Sequence, residues 1–136
     1  MSGHKYYYIG LEKQLKLVLG RYPSCDTESL GEVNLVWNTD GMELFNSRRE
    51  NAWPILAYIS NLRPSIVFEV ALTVGKGKPA NLEFLEEFTA ELNDLMERGI
   101  VFNGKRIMVH HKACVCDAPA RAFLKKHFAV FIQSRL

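Results

Sequence analysis

Apolar residues recur at helical spacing in two stretches of this chain. The first predicts a short amphipathic helix over 11–19, with Gly20 as its stop, and its apolar face consists of Leu11, Leu15, Val18 and Leu19. The second predicts a longer helix that begins at an Asn81 N-cap and ends at Gly99. The residues between 21 and 31 are polar and rich in turn formers, which is typical of a linker.

Shorter apolar runs with polar boundaries predict strands. Three of them, 33–38, 53–59 and 66–74, are separated by short polar connections that suit antiparallel pairing. Pro54 predicts that the second strand begins late or lies at a sheet edge, because proline cannot donate a hydrogen bond to a neighbour. After an Asn103-Gly104 turn, a fourth strand is predicted to end at Asp117, and Pro119 indicates a following helix.

The predicted order is therefore β-β-β-α-β-α, an α/β protein with a mixed sheet. A helix after three antiparallel strands returns the chain to the sheet, so the fourth strand can lie parallel beside the first. This is the order of the ribonuclease-H-like fold. We accordingly expect an N-terminal helix and linker over 1–31 and a partial ribonuclease-H-like core over 32–136.

Composition limits the classes of function without choosing one. The 136 residues are 48% hydrophobic and 24% charged, which suits one globular domain. A net charge of +2, from 17 basic and 15 acidic residues, is too small to identify a nucleic-acid binder. Three cysteines make no disulfide framework and favour a reduced intracellular location, nuclear or cytoplasmic. No apolar run approaches the roughly 20 residues that span a bilayer, so no membrane partner is expected.

Two acidic residues stand where predicted strands end, Asp40 before Gly41 and Asp117 before Ala118-Pro119. Carboxylates on neighbouring strands can share divalent metal ions, as metal-dependent phosphoryl transfer requires. The alternative is structural: Asp40 makes a turn with Gly41, and Asp117 caps the helix after it.

Basic residues near these points can neutralise DNA phosphates, or can simply be solvated surface charges. They are Arg48, Arg49, Lys76, Lys78, Arg121, Lys125 and Lys126. Uninterrupted strand alternation places Cys114, Cys116 and His110 on one face, yet the ligand spacing of a zinc site is absent and buried thiols are the simpler interpretation. The run Tyr6 to Tyr8 can stack on bases or pack against the N-terminal helix.

Four segments resemble a family of transposase-derived proteins: 38–45 (NTDGMELF), 53–56 (WPIL), 75–79 (GKGKP) and 116–125 (CDAPARAFLK). The last is the most specific of the four, and the resemblance runs from about residue 6 to residue 126. It implies a cut-and-paste DNA transposase with a ribonuclease-H-like core, in which three acids hold two Mg²⁺ or Mn²⁺ ions. Asp40 matches the acid of the first strand, and Asp117 matches the acid after the fourth.

The chain departs from that family after Asp117, because no Asp or Glu follows it where the third acid is expected. We therefore expect a truncated transposase domain whose ancestral activity, metal-dependent DNA strand cleavage and transfer, is impaired. The alternative is a regulatory remnant that binds DNA or protein without cutting. The expected partners are DNA and either a second copy of the chain or a full-length transposase.

Overall fold

The computed structural model describes residues 4–39, 42–43, 50–76 and 85–115. Within these ranges the chain is a mixed α/β protein. Its helices are α1 (Leu11–Leu19), α2 (Ser24–Glu28) and α3 (Glu86–Arg98). Its strands are β1 (His4–Tyr8), β2 (Glu32–Thr39), β3 (Met42–Glu43), β4 (Glu50–Ile59), β5 (Phe68–Lys76), β6 (Ile100–Phe102) and β7 (Lys105–Val115).

The strands form a sheet in the order β1-β5-β4-β2-β7-β6, and β3 also pairs with β4. The three strands β2, β4 and β5 pair antiparallel, as their short polar connections predicted. β7 lies parallel beside β2, which confirms the predicted return of the chain after α3. The turn Asn103-Gly104 joins β6 to β7, and both residues have the positive φ angles (51° and 76°) that tight hairpins need.

One face of the sheet carries the core. α1 buries its predicted face, and α3 buries Phe88, Leu92 and Leu95, which lie at helical spacing. Both helices share one apolar cluster with inward residues of the sheet, including Val33, Leu35, Trp37, Ile55, Ile59, Val70, Ile107 and Val109. This packing fixes the positions of β2 and β7, the two strands that lead toward Asp40 and Asp117.

Two local expectations were wrong. Pro54 lies within β4, an internal strand that begins at Glu50. On one side, β4 pairs with β2 up to Ile55 and with β3 from Ala52, and Pro54 lies in the gap between these two pairings. Among the described residues, no partner in this gap requires a hydrogen bond from the Pro54 nitrogen. The segment 21–31 contains the short helix α2. Tyr6 to Tyr8, for which the sequence predicted no element, form part of β1, which pairs with β5 at the edge of the sheet.

In the part of the chain that the structure describes, no helix is both long enough and apolar enough to cross a membrane.

Candidate functional site

The parallel pair β2 and β7 forms the structural base of the candidate site. Val33 lies opposite Val109, and the last described pair is Asn38 with Val115. The register shifts between Leu35, whose partner is His111, and Val36, whose partner is Ala113. Lys112 is therefore an extra residue in β7, a β-bulge within a parallel pair.

The bulge changes which side chains of β7 share a face. His110 is exposed and its Nε2 lies 3.4 Å from Glu32, whereas Cys114 is buried in the core. The prediction that His110 and Cys114 share one face was therefore wrong, because it assumed uninterrupted alternation. After the bulge, Cys114 pairs with Trp37. A buried thiol was the simpler interpretation of Cys114, and it is confirmed.

His111 points to the core side of this strand pair. Its ring centroid lies 6.4 Å from that of Trp37, and Trp37 in turn packs on Phe88 at 4.6 Å. Burial lowers the pKa of the His111 imidazole from 6.5 to about 4. His111 is therefore a neutral group at pH 7, able to accept or donate a hydrogen bond but carrying no charge for phosphate binding.

Two hydroxyl groups lie buried at the same end of the sheet. Thr39, the last residue of β2, is 3% exposed, and Thr73 of β5 is fully buried. Neither Oγ1 atom has a hydrogen-bond partner within the described ranges. A buried hydroxyl without a partner costs free energy. The described residues therefore leave two hydroxyl groups at this end of the sheet that can each form a further hydrogen bond.

Most of the predicted site residues lie outside the described residues. This applies to Asp40, Asp117 and six of the basic residues, namely Arg48, Arg49, Lys78, Arg121, Lys125 and Lys126. The seventh, Lys76, is the last residue of β5 and pairs with Glu50. Its backbone therefore lies at the C-terminal end of β5, beside the first residue of β4.

The described residues contain no group of three or more His, Cys, Asp or Glu side chains that could hold a metal ion. The two cysteines among them lie on different elements, Cys25 exposed on α2 and Cys114 buried in β7. These ranges therefore give no support for a zinc site. The magnesium or manganese site that the sequence predicts rests on Asp40 and Asp117, which lie outside the described residues.

A large open cleft of about 830 Å³ lies between α1 and α3. Four of its charged groups form ion pairs: Arg98 contacts Glu12 at 2.8 Å and Asp94 at 2.7 Å, and Lys16 contacts Glu12 at 3.1 Å. Arg98 holds the pKa of the Glu12 carboxyl below its ordinary value. These ion pairs join the two helices, which is a structural use of the cleft.

Tyr8 and Tyr6 of β1 belong to the same helix junction. The Tyr8 hydroxyl donates to Glu91, and the Tyr6 hydroxyl donates to Glu87 at 3.3 Å. Burial, together with these carboxylates, raises the pKa of both phenols. Packing was the structural alternative for the tyrosine run, and the partners of Tyr6 and Tyr8 agree with it, although they use a strand that the sequence did not predict.

An apolar groove of about 320 Å³ lies on the opposite face of the sheet. The residues that line it include Val36, Asn38, Leu56, Tyr58, Val67 and Val115. Val67 and Val115 are 60% and 64% exposed, which is high for valines that line a groove. We refer to this surface as the apolar groove.

Comparison of the chain with protein-family models, with curated proteins and with solved structures found no match.

Proposed function

We propose that this chain is a transposase-derived domain with a ribonuclease-H-like core, whose ancestral activity is metal-dependent cleavage and transfer of DNA strands. One observation carries the proposal. β2 and β7 are parallel neighbours, and their last described pair is Asn38 with Val115. Asp40 and Asp117 each follow that pair by two residues in the sequence. If the two parallel strands continue equally, both acids lie at the same end of the sheet.

The strand order supports the same fold. β5, β4, β2 and β7 are consecutive in the sheet; β4 is antiparallel to both β5 and β2, and β7 is parallel to β2. This is the arrangement expected for the first four strands of a ribonuclease-H-like core. Since fold alone does not establish chemistry, the functional part of the proposal depends on the two acids.

The residue types at this edge suit a hard divalent cation. Asp40 and Asp117 would hold Mg²⁺ or Mn²⁺ through carboxylate oxygens, which these ions prefer. When bound, such ions polarise a phosphate ester and activate the attacking hydroxyl or water. Lys76, at the end of β5, and the basic residues outside the described ranges would neutralise DNA phosphates, a contribution that is independent of base sequence.

The second candidate function is DNA binding without cleavage. It is favoured by residues 118–136, which contain no Asp or Glu that could act as a third ligand beside Asp40 and Asp117. Two carboxylates can still bind a divalent ion, with lower affinity than three. Metal binding and strand cleavage are therefore separate questions and need separate measurements.

The test compares Asp40→Asn and Asp117→Asn with the wild-type protein. Asp26→Asn is the matched control, because it makes the same chemical change at an exposed position on the helix α2. Mn²⁺ binding is measured by calorimetry, and nicking of supercoiled plasmid is followed with Mg²⁺ or Mn²⁺. Loss of one carboxylate ligand should weaken Mn²⁺ at least about tenfold in each site variant, as metal-site mutations typically do, and leave the control unchanged.

The outcomes separate the two candidates. Nicking that requires metal and disappears in both site variants supports the enzyme. Metal binding that depends on both acids, with DNA bound but never cut, supports the non-catalytic remnant. If Asp26→Asn and the two site variants bind Mn²⁺ alike, Asp40 and Asp117 do not form a metal site and the proposal is wrong.

A further inference from the structure

We draw no further inference here: the strongest candidate, the apolar groove on the sheet face opposite α1 and α3, carries none, because nothing in the part of the chain that the structure describes shows what covers it.

Discussion

The carboxylate of Glu91 in α3 accepts a hydrogen bond from the backbone amide of Leu11 at 2.7 Å, and so caps the first turn of α1 from another helix. The same side chain accepts from the amide of Glu12 at 3.0 Å and from the Tyr8 hydroxyl. The first amides of a helix have no partners within it, and a negative charge near them is favourable. Gly10, which precedes α1, has no side chain that could serve instead. Glu91 therefore joins β1, α1 and α3.

Replacing this cap should destabilise the protein. Glu91→Ala leaves two amides and a half-buried phenol without their acceptor, and we expect the free energy of unfolding to fall by about 2 kcal/mol. Urea denaturation at pH 7 measures the change. Glu97→Ala, on the same helix but exposed, is the control and should stay within about 0.5 kcal/mol of wild type. Equal effects of the two substitutions would show that the cap contributes nothing specific.

Gly99, between α3 and β6, should tolerate no side chain. Its φ of 70° and ψ of −171° belong to a region that only glycine readily enters, and a Cβ there would lie 2.8 Å from the carbonyl oxygen of Ile107. We expect Gly99→Ala to cost about 2 kcal/mol or more in thermal or urea unfolding. Substitutions at Gly104 and Gly31 separate the cost of the positive φ angle from the cost of the close contact.

Gly104→Ala tests conformation alone, because φ is 76° but nothing lies within 4 Å of the new Cβ, and we expect a cost of about 1 kcal/mol. Gly31→Ala has neither problem and should change stability by less than about 0.5 kcal/mol. We expect the loss of stability on substitution by alanine to decrease in the order Gly99, Gly104, Gly31. A larger loss at Gly31 than at Gly99 would contradict the close approach to Ile107.

Burial of His111 makes stability depend on pH. The pKa of its imidazole is about 4 in the folded protein, against 6.5 for the ordinary group. Between these values the unfolded chain binds more protons than the folded one, so the free energy of unfolding falls as pH decreases from 6.5 toward 4. Above pH 6.5 the imidazole is neutral in both states and contributes no slope.

His111→Gln should remove this part of the pH dependence, because glutamine does not titrate. Urea denaturation of the wild-type protein and the variant is measured at several pH values from 7.5 to 4. The difference between their free energies of unfolding should narrow or reverse as pH falls. An NMR titration of the His111 ring supplies the direct readout. A midpoint near 6.5 in the folded protein would contradict burial as the cause.

The elements that the sequence predicted best are those that local patterns decide. The apolar face of α3 and the Asn103-Gly104 hairpin require only spacing and turn chemistry, and both are present. The parallel pairing of β2 and β7 followed from the order of elements, because a helix between strands returns the chain to the same side of the sheet.

What the sequence missed depends on tertiary contacts. β1 is a strand because the edge of β5 offers it partners, whereas three consecutive tyrosines show no alternation. The bulge at Lys112 is set by the pairing of two strands, so the sequence of one strand cannot show it. The Glu91 cap joins residues about 80 positions apart. Asp40 and Asp117 lie outside the described residues, so the sequence prediction for them stays a prediction.

The bulge at Lys112 allows a test of the register between β2 and β7, on which the candidate site depends. Lys112 is the extra residue of β7, so its deletion should let the ladder run from the pair Leu35–His111 directly to the pair Val36–Ala113. Cys114 then stays buried beside Trp37, and every later residue of β7 keeps its face. We expect the deletion to leave a cooperatively folded protein whose Cys114 thiol remains unreactive until it unfolds.

Deletion of His110 is the matched control, because it also removes one exposed residue from β7. Without it, Val109 and Ile107 stay in the core only if Lys112 takes the core-facing position of His111 beside Trp37, which buries a charged side chain. Otherwise the residues before the bulge slip by one position and turn away from the core. This variant should lose cooperative unfolding or lose far more stability than the Lys112 deletion. Thiol labelling of Cys114 under native conditions, followed by mass spectrometry, compares the two proteins. If deletion of Lys112 exposes Cys114 as readily as deletion of His110 does, Lys112 is not the extra residue, and the register on which the proposed metal site depends fails with it.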